Sequence, residues 1–141
     1  MKTRLRPALL AAPIALLAVV LFPFEWLGAR WHALGGLIDS IFATDARHAL
    51  GHATLFALLG GATLAAFPGL RARPWRYAAL LLAGVGQELL QLAFKRRPVN
   101  FDDGRDLLVD AAGLALALVV VWLAGAALRR RRPGGLGKEA A

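Results

Sequence analysis

Three pairs of polar residues lie inside otherwise apolar stretches of this 141-residue chain, at spacings that could support chemistry. The pairs are His48 with His52, Glu88 with Gln91, and Asp106 with Asp110. Residues three or four positions apart share one face of a helix, so each pair would present its two polar groups together. Imidazole and carboxylate groups move protons and ligate metal ions. An ionisable group inside a membrane segment is by default a functional-site hypothesis.

The composition indicates that the elements carrying these pairs lie in a membrane. The chain is 58% hydrophobic with a mean hydropathy of +0.56, above the roughly 45–50% apolar usage of soluble domains. A soluble core of this size could not cover so much apolar surface, so lipid must cover it. The chain has no cysteine, which excludes a disulfide framework, thiolate catalysis and cysteine-ligated metals. The net charge of +8 comes from basic residues at the ends and turns of apolar segments, and nothing supports nucleic-acid binding.

Four apolar segments have the length of a membrane span, about 17–25 residues. They cover residues 8–24, 46–67, 77–94 and 107–128. The sequence therefore predicts an all-α, polytopic membrane protein, with a bundle of four transmembrane helices over residues 1–132 and a disordered cytoplasmic tail over 133–141. The first segment could also be a signal peptide, but no small-x-small cleavage site follows it, which favours an uncleaved span.

The Lys and Arg residues predict how these spans are oriented, because cytoplasmic loops carry the excess of positive charge. With the N-terminus inside, eleven of the 17 basic residues are cytoplasmic. The other six lie outside: Arg30, Arg47, Lys95, Arg96, Arg97 and Arg105. The sequence thus predicts a multi-pass protein of the inner, cytoplasmic membrane with both termini in the cytoplasm.

In this topology the polar pairs all fall near the extracytoplasmic ends of spans two to four. Gly84 and Gly113 share their faces, and small residues let helices approach closely in lipid, so the faces should point into the bundle. A buried carboxylate there must find a partner or a proton. Arg97 could pair with Glu88 or Asp110, or could grip an anionic group such as a phosphate.

Each polar residue also has a purely structural explanation. Glu88 and Gln91 could serve only as interhelical hydrogen bonds, and His52 could be a satisfied core histidine. Asp106 precedes an apolar run and could cap the helix, whereas Asp110 is a full turn inside and favours the site. His48 is better explained as an interfacial residue than as a functional one.

Three sequence patterns resemble the VanZ-like family of small bacterial membrane proteins. They are H-x3-F-x2-L-G at His52, Phe56, Leu59 and Gly60, E-x2-Q-x5-R at Glu88, Gln91 and Arg97, and D-x3-D-x2-G at Asp106, Asp110 and Gly113. Their order and hydrophobic frame agree from about His48 to Trp122. Asp103 competes with Asp106 for the family's aspartate, and the spacing to Asp110 and Gly113 favours Asp106.

The resemblance implies a cell-envelope function linked to resistance to the glycopeptide teicoplanin, without an established chemical mechanism. Together with the clustering, it predicts a ligand-binding site made of His52, Glu88, Gln91, Arg97, Asp106 and Asp110. The expected partners are membrane lipids and a lipid-linked envelope precursor or glycopeptide. No catalytic residue, resident metal or cofactor is predicted, and the oligomeric state stays open.

Three classes of function are compatible with this site. The first is a module that binds an envelope component without turnover. The second is an intramembrane enzyme acting on a lipid phosphate or ester, with a metal variant that would use His52, Glu88 and Asp110. The third is a structural or partner-binding protein whose polar cluster only holds helices together. A transporter is disfavoured, because the inner halves of the spans carry no polar relay.

Overall fold

The structure is a computed structural model, and it describes residues 2–130. Helices make up almost all of this part of the chain. The α-helices are α1 Lys2–Val20, α2 Phe24–Arg30, α3 His32–Ile41, α4 Asp45–Ala66, α5 Pro74–Ala78, α6 Leu81–Lys95 and α7 Phe101–Arg130, with a short 3-10 helix at Pro68–Ala72. No strand occurs within residues 2–130, so the predicted all-α class is confirmed. The predicted tail at 133–141 lies outside the described residues.

Local sequence explains where the helices around the polar pairs begin and end. The Thr44 hydroxyl accepts the backbone N–H of Arg47 at 3.3 Å and so caps the start of α4. Pro68 follows the end of α4, where its ring cannot continue an α-helix. At the end of α6, Arg96 adopts a left-handed conformation with φ 49°, which is typical of a helix C-terminus.

Asn100 fixes the start of α7, six residues earlier than the predicted span. Its Oδ1 accepts the backbone N–H groups of Asp102 and Asp103 at 2.9 and 3.2 Å, and its own N–H donates to Oδ2 of Asp103 at 2.7 Å. These reciprocal bonds form a capping box, which satisfies the free N–H groups of a helix N-terminus. The helix therefore includes Asp103 and Asp106 in its first two turns.

Three of the described helical segments are long and apolar enough to cross a membrane: Asp45–Ala66, Pro74–Lys95 and Phe101–Arg130. The second of these contains both α5 and α6, joined by tight i to i−3 hydrogen bonds around Ala79 and Leu80. The first predicted span is not among them, because its apolar helical part, Leu9–Val20, is shorter.

The interior is built around α4, which packs most extensively against α7 and next against α1. Phe56, Leu59 and Leu64 of α4 are fully or almost fully buried there. The Tyr77 hydroxyl donates to the Leu114 carbonyl at 2.8 Å and ties α5 to α7. On the outside of the helices lie large apolar side chains such as Leu82 and Leu108, an arrangement suited to lipid.

Candidate functional site

The polar pairs of the three long segments meet at one end of the molecule. His48 and His52 occupy the first two turns of α4, and Asp103, Asp106 and Asp110 the first three turns of α7. Glu88 and Gln91 lie in the last two turns of α6. Because α4 and α7 both begin at this end, they run parallel to each other, and α6 runs antiparallel to both.

Two contacts join α4 to α7 in register. His52 Nδ1 lies 2.9 Å from Asp110 Oδ1, and one turn earlier His48 Nε2 lies 3.4 Å from Asp106 Oδ2. Both pairs are separated by 58 residues in sequence. The inner pair is buried, and the side chain of Asp110 is 0% exposed, whereas the His48 side chain is 41% exposed. The two imidazole rings are stacked at a tilt, with centroids 4.8 Å apart.

Two glycines allow the backbones to approach closely enough for these contacts. A side chain at Gly113 of α7 would collide with the backbone carbonyl of Ala53 in α4. A Cβ atom at Gly84 of α6 would lie 2.5 Å from Asp110 Oδ2. Small residues at these positions therefore set the distances within the polar cluster, as is common between helices in lipid.

Arg97 and Asp103 form a second polar contact at the same end. Both guanidinium NH groups donate to the Asp103 carboxylate, one of them at 3.0 Å. These hydrogen bonds raise the pKa of Arg97 above its ordinary value, so the side chain stays cationic. Of the two roles suggested for Arg97, the pairing with Glu88 or Asp110 is replaced by a pairing with Asp103, and the binding of an anionic group stays a prediction. The reason is that the capping box at Asn100 brings Asp103 into α7, six residues after Arg97.

Glu88 is enclosed by this polar cluster. Its side chain is buried, and its electrostatic neighbours are His52, Asp103, Asp106 and Asp110. The Glu88 Oε1 and Asp110 Oδ2 atoms are buried without a hydrogen-bond partner among residues 2–130. Buried polar atoms in proteins are normally satisfied, so unsatisfied ones call for a physical explanation.

A cavity of about 1090 Å³ opens beside the cluster, between the α2–α3 hairpin, the end of α1, α4 and α6. Apolar side chains such as Val20, Phe24 and Leu58 line most of its wall. Polar groups near one end of it include Arg47, His48, His52, Gln87, Gln91 and Lys95, and His32 and Asp39 of α3 also line the cavity. The cavity therefore combines an apolar chamber with a polar, partly cationic end.

A smaller cavity of about 220 Å³ is lined by His48 and Asp106, and also by Arg97 and Arg105. Gln91 lines both cavities and accepts a hydrogen bond from Lys95 Nζ at 3.2 Å. The polar cluster thus borders both cavities.

The structure brings the six predicted site residues to one end of the helices, in separate contacts. His52 pairs with Asp110, while Asp106 and Arg97 pair with residues that were not among the six, His48 and Asp103. The sequence contains a pattern that could have identified each of these two partners, His48 and Asp103. His48 lies four residues before His52, and Asp103 follows the capping residue Asn100 at the spacing of a capping box.

Three residues could together hold a metal ion: His48, His52 and Asp106. Each offers one nitrogen or oxygen ligand atom, and these three atoms lie within 4.8 Å of one another. This set differs from the predicted metal variant of His52, Glu88 and Asp110.

A scan against protein-family models finds no match for this chain, and neither a curated protein nor a solved structure matches it.

Proposed function

We propose that this chain is a VanZ-like, multi-pass protein of the inner membrane that binds a lipid-linked component of the cell envelope at its extracytoplasmic face. The observation that carries the proposal is the cavity of about 1090 Å³, whose wall is apolar and whose end is polar. Such a cavity complements a molecule with a long apolar part and a compact polar headgroup. Ligand sites are commonly apolar clefts with a few placed polar groups.

The polar end of the cavity suits an anionic headgroup. Arg47 and Lys95 line it from α4 and α6, and Gln91 adds an amide between them. Arg47 already donates to the Ser40 carbonyl at 3.3 Å, which holds the guanidinium near the α3–α4 connection. A phosphate would accept charge-assisted hydrogen bonds from these groups, which are stronger than bonds between neutral partners.

The proposed topology has four spans, with α1 as the first. The apolar part of α1, Leu9–Val20, extends about 18 Å at about 1.5 Å per residue, so a crossing of the roughly 30 Å hydrocarbon layer would also need the flanking residues of the predicted span, 8 and 21–24. The distribution of Lys and Arg then supports cytoplasmic termini and an extracytoplasmic polar cluster.

Binding of a polyprenyl phosphate to the purified protein in detergent, measured by native mass spectrometry, tests this proposal. The matched ligand is the corresponding polyprenol, which has the same chain and no phosphate. We expect the phosphate to bind at least about tenfold more tightly, since a hydrogen bond to a charged group contributes about 1.5–3 kcal/mol.

Two variants locate the binding. Lys95→Gln should weaken phosphate binding by about tenfold, while Arg76→Gln, which removes an exposed cation at the opposite end of the same helical segment, should leave it unchanged. Equal binding of both lipids, or equal loss in both variants, would favour the third class, in which the cluster only holds helices together.

An intramembrane enzyme is the second candidate, and the His52–Asp110 pair favours it. A carboxylate bonded to one imidazole nitrogen orients the ring for proton transfer at the other nitrogen. An enzyme acting on a lipid phosphate or ester would convert the bound lipid on incubation. Mass spectrometry of the recovered lipid distinguishes this from binding alone.

The proposed link to glycopeptide resistance is tested separately. Expression of the chain in a susceptible host should raise the inhibitory concentration of teicoplanin, and Glu88→Ala should abolish the increase at equal protein level. An unchanged inhibitory concentration would remove resistance from the proposal and leave lipid binding to be judged by its own assay.

A further inference from the structure

We propose that His48, His52 and Asp106 bind a divalent transition-metal ion at the edge of the large cavity. One ligand-type atom from each residue lies within 4.8 Å of the others, and His48 Nε2 and Asp106 Oδ2 are 3.4 Å apart. Ligands about 2.0–2.2 Å from a tetrahedral ion are separated by roughly 3.4 Å, so this pair already has the required spacing. Two imidazoles and one carboxylate form the donor set of many zinc and iron sites.

Asp110 completes the arrangement by fixing the orientation of His52. With Asp110 ionised, Nδ1 of His52 would donate to it, because an ionised carboxylate only accepts hydrogen bonds, and Nε2 would keep its lone pair for a metal. Metal-ligating histidines nearly always give their second N–H to a carboxylate or carbonyl in this way. Because Asp110 is fully buried, its oxygen is held in place by the packing of α4, α6 and α7.

Charges of both signs surround the three ligands, since Lys95, Arg97 and Arg105 line the smaller cavity together with His48 and Asp106. Four carboxyl groups of α6 and α7 converge there, those of Glu88, Asp103, Asp106 and Asp110. Arg97 is already engaged by Asp103 in two hydrogen bonds. Carboxylates gathered in a low-dielectric site repel each other unless a cation or protons intervene, and a divalent ion would offset two negative charges at once.

The site would leave one side of the ion open to the large cavity. His48 and His52 both line that cavity, whereas Asp106 lines the smaller cavity together with His48. Three protein ligands leave a fourth position free, which is the arrangement of catalytic rather than structural zinc sites. A small ligand or an oxygen of a headgroup could occupy that position. Metal binding itself does not depend on the proposed lipid binding.

The test uses Zn²⁺ as the probe and untagged, chelator-treated protein in detergent. After equilibration with Zn²⁺ and dialysis, bound metal is measured by elemental mass spectrometry and the melting temperature by differential scanning fluorimetry. Wild type should retain one Zn²⁺ per chain and melt at a higher temperature with the ion, since a ligand that binds only the folded state stabilises it.

Matched variants separate this site from adventitious binding. His48→Ala and Asp106→Asn should abolish the bound zinc and the thermal shift. Because the His48 side chain is 41% exposed, its replacement by alanine should not unfold the protein, so lost zinc binding in that variant reports on the site. His32→Ala and Asp39→Asn, which remove an exposed histidine and an exposed carboxylate that line the same cavity from α3 but are not among the three ligands, should behave as wild type. Asp110→Asn should weaken zinc affinity by about 10- to 100-fold.

The proposal is overturned if wild type retains no zinc, or if His48→Ala and Asp106→Asn retain as much as wild type. Both outcomes can be told apart from a failure of lipid binding, because polyprenyl phosphate binding is measured with and without Zn²⁺ on the same preparations.

Discussion

His52 Nδ1 lies 2.9 Å from Asp110 Oδ1, and this contact joins α4 to α7 at a fully buried point. The contact between His48 and Asp106 repeats the pairing one helical turn earlier, with the same separation of 58 residues. Two parallel helices with i, i+4 polar pairs can match in this way only in one register. The polar residues therefore set the alignment of the two helices as well as forming the candidate site.

The buried pair should show a measurable coupling. Asp110→Ala leaves the His52 imidazole N–H without its acceptor, and we expect a loss of about 1–3 kcal/mol in the free energy of unfolding. A double-mutant cycle with His52→Ala, measured by denaturant titration in mixed micelles, should give a coupling energy of about 0.5–2 kcal/mol. Asp102→Ala, an exposed carboxylate in the same helix, is the control and should change little. Strictly additive single variants would mean that the two side chains do not bond.

The close approach of α4 and α7 makes a second prediction at Gly113. Alanine there would place Cβ against the backbone carbonyl of Ala53, which cannot move without separating the helices. We expect Gly113→Ala to destabilise the protein by about 1–3 kcal/mol, the usual cost of overpacking a tight contact. Loss of the bound zinc should accompany it, since His48 and Asp106 would move apart.

Gly125 of the same helix provides the matched control, because a Cβ atom there meets no atom within 4 Å. Gly125→Ala should leave stability unchanged or raise it by up to about 1 kcal/mol, since alanine favours helix more than glycine does. Equal effects at the two positions would contradict the close contact between α4 and α7.

The periodicity of the sequence was sufficient to predict the end of the molecule at which the polar residues gather. The i, i+4 spacing of His48 and His52, and of Asp106 and Asp110, put each pair on one helix face, and the alternation of direction put those faces at the same end. The apolar runs also identified the three long helical segments. These features are local, and a single sequence carries them.

The specific partners were not predictable, because they depend on helix register and on the loop between α6 and α7. The segment KRRPVNFDDGRD is mostly polar, with Val99 and Phe101 as its only large apolar residues, so hydrophobic periodicity could not locate the start of α7 at Phe101. The capping interaction of Asn100 sets that start and brings Asp103 to Arg97. The pairing of His48 with Asp106 likewise required the parallel register of α4 and α7, which no local pattern specifies.

The Arg97–Asp103 contact should stabilise the start of α7. Arg97→Gln removes both guanidinium hydrogen bonds from the Asp103 carboxylate, and we expect a lower free energy of unfolding and a lower melting temperature. Arg97→Lys should be intermediate, since an ammonium keeps the charge but cannot supply the planar fork. Arg96→Gln, an exposed neighbour, is the control. Hydrogen exchange of the amides at the start of α7 should report the same order of effects, and equal exchange in Arg97→Gln and wild type would contradict it.

Glu88 should behave in the opposite way. Its Oε1 atom is buried without a hydrogen-bond partner in the described residues, and its neighbours include three further carboxyl groups. Glu88→Gln removes a carboxyl group from this set while keeping its size, so the melting temperature in detergent should equal or exceed that of wild type. Residues retained for function often reduce stability in this manner. Asp39→Asn on α3 is the exposed control, and a melting temperature several degrees below wild type for Glu88→Gln alone would indicate that Glu88 serves chiefly to hold the helices together.

The proposed topology can be tested directly, because the chain contains no cysteine and single cysteines can be introduced without background. Val99, in the connection between α6 and α7, is 73% exposed and should lie on the extracytoplasmic side. Gly69, in the connection between α4 and α5, has no neighbour that an added Cβ would meet and should lie in the cytoplasm. In spheroplasts, a membrane-impermeant maleimide should therefore label Val99→Cys at once and Gly69→Cys only after permeabilisation. The reverse pattern would mean that the positive-inside distribution of Lys and Arg does not govern this chain. The polar cluster and its cavity would then lie on the cytoplasmic face, which would exclude an extracytoplasmic lipid headgroup as the ligand.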